Sequence, residues 1–225
     1  MNKILDKKIF SSRFITTNDT YTTKYGAVEI PTYWWSRPYE YSYALNVVKE
    51  FFGNDIKNKI CLDAASGVFY NIDNVNKSEY PLKFELAKIF QKVVCLDIDP
   101  DIKKLRNKDN IEYFFGKMGD FTYPQKFDCI LCISVLEHCS FLETIKTINN
   151  FAKLLKNNGC LVVTLDYPSV SALRLLIIKK LLYKYFRITS WDFQTRENIL
   201  NGSNSINKND VYKNLNIFRI FAIKP

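Results

Sequence analysis

Histidine is almost missing from this chain: His138 stands alone among 225 residues. The cysteines form a single CxxC, Cys129-Ile130-Leu131-Cys132, whereas a structural zinc site takes four ligands. With one His and no second CxxC, a resident metal is set aside. Cys61, Cys95, Cys129, Cys132 and Cys160 sit inside apolar runs and read as buried thiols that behave as small hydrophobes. A bilayer-spanning run is lacking as well, since a span takes roughly 20 apolar residues. The most apolar stretch, Leu173 to Phe186, is broken by Arg174, Lys179, Lys180 and Lys184. Met1 to Phe10 alternates Lys with apolar residues and has no continuous apolar core of a secretory signal. The expectation is a cytoplasmic protein without a spanning segment.

What is present suits one domain. A chain of 225 residues with 47% hydrophobic content can bury a single α/β core. Aromatics reach 15%, enough to line a pocket as well as fill a core. The net charge of +9 is uneven: residues 151–225 hold twelve Lys and Arg against four Asp and Glu. A field of that sign attracts anions, although a Lys-rich solvated surface would look the same.

Short apolar runs alternate with helical stretches. Strands are predicted at Lys59–Ala64, Val93–Ile98, Ile111–Phe115, Phe127–Ile133 and Cys160–Leu165, and a last one at Asn216–Lys224. Helices are predicted at Tyr39–Phe52, ended by Gly53-Asn54, at Pro81–Phe90, at Asp101–Asn107 and at Phe141–Leu155, stopped by Asn157-Asn158-Gly159. Ile178, Leu181, Leu182 and Tyr185 form a further helical stripe, which packing against the sheet explains best. Asn198–Asp210 reads as a loop. This alternation predicts a Rossmann-like α/β fold with a mainly parallel sheet and helices on both faces.

In such sheets ligands bind beyond the carboxyl ends of the strands. Small, acidic and turn residues gather there: Asp63-Ala64-Ala65-Ser66-Gly67, Asp97-Ile98-Asp99, Gly119-Asp120-Phe121, Ser134-Val135-Leu136-Glu137-His138 and Asp166-Tyr167-Pro168. The set suits a nucleoside. A small-residue turn lets the backbone approach closely. An acid ending the next strand can accept both ribose hydroxyls, and a third carboxylate can accept from an adenine amino group.

From Lys59 to Leu165 the chain resembles the class I S-adenosylmethionine-dependent methyltransferases. Asp63 matches the acid of the first signature and Gly67 its central glycine. Ala65 replaces the first glycine, a mild change, while Phe69 stands where a third is expected and implies a reshaped or wider turn. The resemblance implies that Asp97 binds the ribose and Ile98 packs on adenine. It implies that Asp120 takes the adenine amino group, with Gly119 and Phe121 beside it. Ser134 and the turn Leu154–Gly159 also fit the pattern. The cofactor is then S-adenosylmethionine, with S-adenosylhomocysteine as product. The domain reads as an N-terminal lid (1–53), a cofactor-binding core (59–165) and a substrate-side segment (166–225).

NAD is the nearest competitor, but Ala65, Ser66 and Phe69 serve a pyrophosphate poorly. The aromatic segment around Trp34 is read as a lid or a packed arm, with Arg37 placed to pair with the methionine carboxylate. His138 is a candidate base for a hydroxyl acceptor. Asp166 and Tyr167 are candidates to contact that acceptor. The expected acceptor is a small or saccharide-linked molecule, anionic in view of the basic last third. A segment at Ser36–Tyr41 resembles one found in methyltransferases of bacterial surface-glycan clusters. RNA methylation ranks lower because no RNA-binding module is appended. A non-catalytic binding subunit is the alternative from another class. A homodimer and peripheral membrane contact stay open.

Overall fold

The computed structural model describes residues 8–26, 28–30, 36–70, 77–79, 81–167, 169–193 and 216–225. Tyr33–Trp35, Pro168 and the Asn198–Asp210 segment lie outside them.

The strands of the main sheet are β1 (Ser12–Phe14), β2 (Ile60–Ala64), β3 (Lys92–Asp97), β4 (Ile111–Phe115), β5 (Phe127–Ile133), β6 (Leu155–Tyr167), β7 (Arg187–Ile188), β8 (Trp191–Asp192) and β9 (Asn216–Ile223). Their order is β8-β1-β9-β6-β5-β2-β3-β4, with β7 beside β9. The five strands from β6 to β4 pair in parallel. Strand β9 runs antiparallel to β6 and β1. From β2 the chain builds outward through β3 to β4, then returns to place β5 on the other side of β2. The crevice between the tips of β2 and β5 is therefore a topological switch point, where open α/β sheets hold their ligands.

Among the described residues four α-helices flank the sheet: α1 (Arg37–Phe52), α2 (Leu82–Ala87), α3 (Phe141–Leu154) and α4 (Ala172–Tyr185). Helix α1 starts where Pro38 fixes a helical φ and stops at Gly53, which turns the chain at φ 55. In α3 Ser140 and Glu143 close a reciprocal capping box. Arg174 of α4 donates to the carbonyl of Leu136 and to the Thr144 hydroxyl, both at 2.8 Å, and so ties α4 to the start of α3. No helix among the described residues is long and apolar enough to cross a membrane.

Strand alternation divides the core in two. Ile130 and Cys132 of β5 face the layer formed by Ile148, Phe151, Leu175, Ile178 and Leu182. Cys129 and Leu131 face the layer formed by Tyr41, Val48 and Leu86. Cys129 and Cys132 thus point to opposite faces, as residues three apart on a strand must, and cannot share one metal.

The helix expected at Asp101–Asn107 is a 3-10 turn at Pro100–Lys104, and two details at the end of α3 also differ from expectation. Strand β6 begins at Leu155 rather than Cys160, with an irregular register between those residues. Gly159 serves close approach: a Cβ there would lie 2.8 Å from the carbonyl oxygen of Asp128. The left-handed turn falls one residue earlier, on Asn158 at φ 62.

Candidate active site at the strand tips

A cavity of about 200 Å³ occupies the switch point. The tips of β2, β3 and β5 supply Asp63, Ala65, Ser66, Gly67, Asp97, Asp99 and Ser134, while α1 covers it with Arg37 and Tyr41. Leu82 of α2 closes one side.

The turn after β2 is pinned on both sides. Ala65 and Ser66 donate their backbone N–H groups to the Leu96 carbonyl, at 2.8 and 3.0 Å. Gly67 donates its N–H to Asp97 Oδ2 at 2.8 Å, and Asp99 donates its own to Asp97 Oδ1 at 2.8 Å. Each of these oxygens keeps a lone pair for a further donor. Ala65 stands at φ 66 and Gly67 at φ 62. The alanine is therefore less mild a replacement than its size suggests, because a Cβ disfavours that region. Beyond the turn the chain does not enter a helix. Val68–Tyr70 pairs with Lys77–Glu79 as a short antiparallel ribbon, which is how the turn is reshaped at Phe69.

Asp63 is buried and bonded by the Ser66 hydroxyl at 2.7 Å. Burial pushes its carboxyl above the ordinary range, against the pull of Lys83 and of Ser66. Lys83, fully buried on α2, donates to the Gly67 carbonyl at 2.9 Å. It brings a cation beneath the turn that the sequence reading did not anticipate. A lysine in a short helical run reads as a solvated face, and no periodicity marks it as buried.

On the β5–β6 side the polar groups close around Glu40 of α1, which is wholly buried. The Ser134 hydroxyl and Arg37 both donate to its carboxylate, and the Thr164 hydroxyl does so at 2.5 Å. Next to it, the Asp166 backbone N–H donates to Glu137 Oε1 at 3.0 Å. Glu137 Oε2 and Asp166 Oδ1 have no hydrogen-bond partner among the described residues. Burial and the Asp166 charge push the Glu137 carboxyl up to about 8. Burial and the Glu40 charge push Asp166 up to about 7, with Arg37 pulling the other way. Glu40 could not be found from sequence, since its partners lie 94 and 124 residues away.

The remaining expected residues fall elsewhere. Ile98 stands beside the cavity mouth with 64% of its surface exposed, an apolar face without a protein partner to cover it. Asp120 is exposed and Phe121 is buried against Phe114 at 5.6 Å. Neither lines the cavity, and Gly119 packs on Lys146 of α3. His138 is exposed and also lies outside the cavity lining. Tyr167 belongs to the core, with its ring 5.4 Å from Phe14 and 5.9 Å from Phe193. As the last residue of β6 it alternates away from Asp166, so the two do not present their side chains to one acceptor.

The fold is similar to that of class I methyltransferases, with a crevice at the switch point of a mainly parallel sheet. In keeping with that, residues 82–163 match the methyltransferase domain family. The N-methyltransferase NodS from Bradyrhizobium japonicum, crystallised with S-adenosyl-L-homocysteine, superposes with a TM-score of 0.51 at 12% identity, over 80% of this chain and 84% of that one. A TehB-like SAM-dependent methyltransferase from Corynebacterium glutamicum gives 0.50 at 14% identity, over 75% and 82%. An uncharacterized protein of Methanocaldococcus jannaschii is 29% identical over 167 residues, which make up 73% of this chain. The chain spans 63% of the length of that relative.

Proposed function

We propose that the chain transfers a methyl group from S-adenosylmethionine to a small or saccharide-linked acceptor. The observation that carries this reading is the gathering of Arg37, Asp63, Ala65, Ser66, Gly67, Asp97 and Ser134 around one crevice at the switch point. In this reading Asp97 accepts from the two ribose hydroxyls. Ile98 packs on the adenine, and the turn at Ser66 and Gly67 receives the methionine end. Arg37 pairs with its carboxylate. Asp120 reaches the adenine amino group only from the rim.

The sulfonium supplies an activated methyl group, so the protein has to align the acceptor and exclude water. The acceptor approaches from the β6 side, behind whose wall Asp166 and Glu137 each keep a buried oxygen with no hydrogen-bond partner among the described residues. We assign the base to Asp166 rather than to His138: neither lines the cavity itself, but Asp166 stands at the tip of β6 beside Glu40 and Arg37, where burial and the Glu40 charge raise its carboxyl, while His138 faces solvent. A carboxyl-lined approach suits a hydroxyl or amine nucleophile better than a negatively charged one. Any anionic part of the acceptor is then remote from the reacting atom.

Calorimetric titration with S-adenosylhomocysteine tests the reading. Saturable one-to-one binding is the expected result. A protein that does not bind it is the non-catalytic subunit instead. NAD fits less well, because the turn after β2 leads into a ribbon rather than directly into a helix that would present its N-terminus to a pyrophosphate.

A further inference from the structure

A second cavity, of about 250 Å³, shares no lining residue with the first. It lies where α1 crosses β1 and β9, and Arg13, Arg219, Asp19, Tyr43, Asn46 and Lys8 are among its walls. Arg13 grips Asp19 with both terminal nitrogens, at 2.8 and 2.7 Å. Arg219, only 3% exposed, donates to the same carboxylate at 2.8 Å. The Asp19 oxygens also take the Thr16 backbone N–H at 2.9 Å, so they are spent on protein donors. Burial works against the Asp19 charge, yet Arg13 and Arg219 hold its pKa below the ordinary value. It is an ionised counter-charge for one guanidinium, and there are two.

Lys8 adds a third cation at the edge, and Asp19 is the only acid lining the cavity among the described residues. A buried positive charge left without a counter-ion is strongly unfavourable. Two donors are also left over. Tyr43 is 4% exposed, and its hydroxyl has no partner among the described residues. Arg13 Nε has none either. The Arg219 guanidinium lies 4.6 Å over the Tyr43 ring, which fixes the ring and its hydroxyl in place. Excess positive charge and two idle donors buried in the wall of one half-open cavity are the complement of an oxyanion.

We infer that this cavity binds a phosphate-type oxyanion, either free phosphate or the phosphate group of a small phosphorylated molecule. The Tyr43 hydroxyl and Arg13 Nε donate to it, and Lys8 and Arg219 supply the field. The site is independent of the cofactor reading, since no residue is common to both.

Thermal melting and calorimetry with inorganic phosphate, against chloride at equal ionic strength, test it on the intact chain. Phosphate is expected to raise the melting temperature saturably. Tyr43→Phe should weaken phosphate binding about tenfold. Without phosphate that variant should melt at the wild-type temperature or above, because the hydroxyl it removes had no partner. Lys8→Gln should weaken binding and flatten its salt dependence. Affinity for S-adenosylhomocysteine should not change in either variant. The proposal is overturned if phosphate acts no differently from chloride, if Tyr43→Phe binds as well as the wild type, or if S-adenosylhomocysteine displaces the phosphate. A hexose phosphate that binds more tightly than inorganic phosphate marks a phosphorylated small molecule as the natural occupant. The reverse order marks free phosphate, and either order upholds the site.

Discussion

Asp97 closes β3 and accepts, at 2.8 Å, the backbone N–H of Gly67 in the turn that closes β2. This bond holds two strand tips in register before any ligand arrives. It also aims the remaining lone pairs of the carboxylate across the crevice. Asp97→Ala should therefore lose about 100-fold in affinity for S-adenosylhomocysteine, the equivalent of two hydrogen bonds to a charged group. Calorimetry reads the affinity, and circular dichroism checks that the variant stays folded. Affinity within a few-fold of the wild type would remove the ribose role.

Ala65 sits at φ 66, which costs an L-residue roughly 1 kcal/mol. Ala65→Gly should leave stability within about 0.5 kcal/mol of the wild type, since relief of strain offsets the freer unfolded chain. Ala65→Val should lose about 2 kcal/mol, because a β-branched residue fits that region worst. Urea denaturation measures both, and equal stability of the two variants would contradict the strain.

The charge of the buried Lys83 pulls against the burial that raises the Asp63 carboxyl. Lys83→Met keeps the volume but leaves the carboxylate uncompensated. A loss of about 3 kcal/mol or more is expected. The loss should shrink as pH falls, because the raised Asp63 carboxyl takes up a proton more readily than an ordinary one. A loss below about 1 kcal/mol at pH 8 would show that Asp63 does not depend on Lys83.

How legible this was differs by element. Strands β2, β3 and β5 stand out as short continuous apolar runs, α3 by an apolar stripe that persists through it, and α1 by its stop at Gly53-Asn54. The acids at the strand tips followed from the same reading, since chain direction alone puts them there. The ribbon at Val68–Tyr70 and the short β1 and β8 did not, because two or three residues carry no period and their pairing partners are distant. Lys83 and Glu40 were missed for a related reason. A charged residue on a helix looks solvated until tertiary partners are known, and those of Glu40 come from β6 and the tip of β5. Tyr167 was misplaced by one residue of strand alternation.

Glu137 and Asp166 make stability depend on pH in a direction opposite to ordinary acids. Both carboxyls are raised, to about 8 and about 7, above their unfolded values. The folded state therefore holds protons that the unfolded state has already released above about pH 4.5. Their contribution is fully present below that pH and is lost as pH rises toward 8. The melting temperature should fall between pH 5 and pH 9. Glu137→Gln keeps an oxygen for the Asp166 N–H and removes one titration, so it should flatten that fall and melt higher than the wild type at pH 8. An unchanged slope would return the pair to ordinary carboxylate behaviour.

The most direct measurement is a crystal structure grown with S-adenosylhomocysteine. The account predicts the nucleoside in the crevice between β2 and β5, its ribose hydroxyls within hydrogen-bonding distance of Asp97 and its carboxylate on Arg37. A product molecule bound elsewhere, or a crevice that stays closed over Asp97 at saturating concentration, would contradict it.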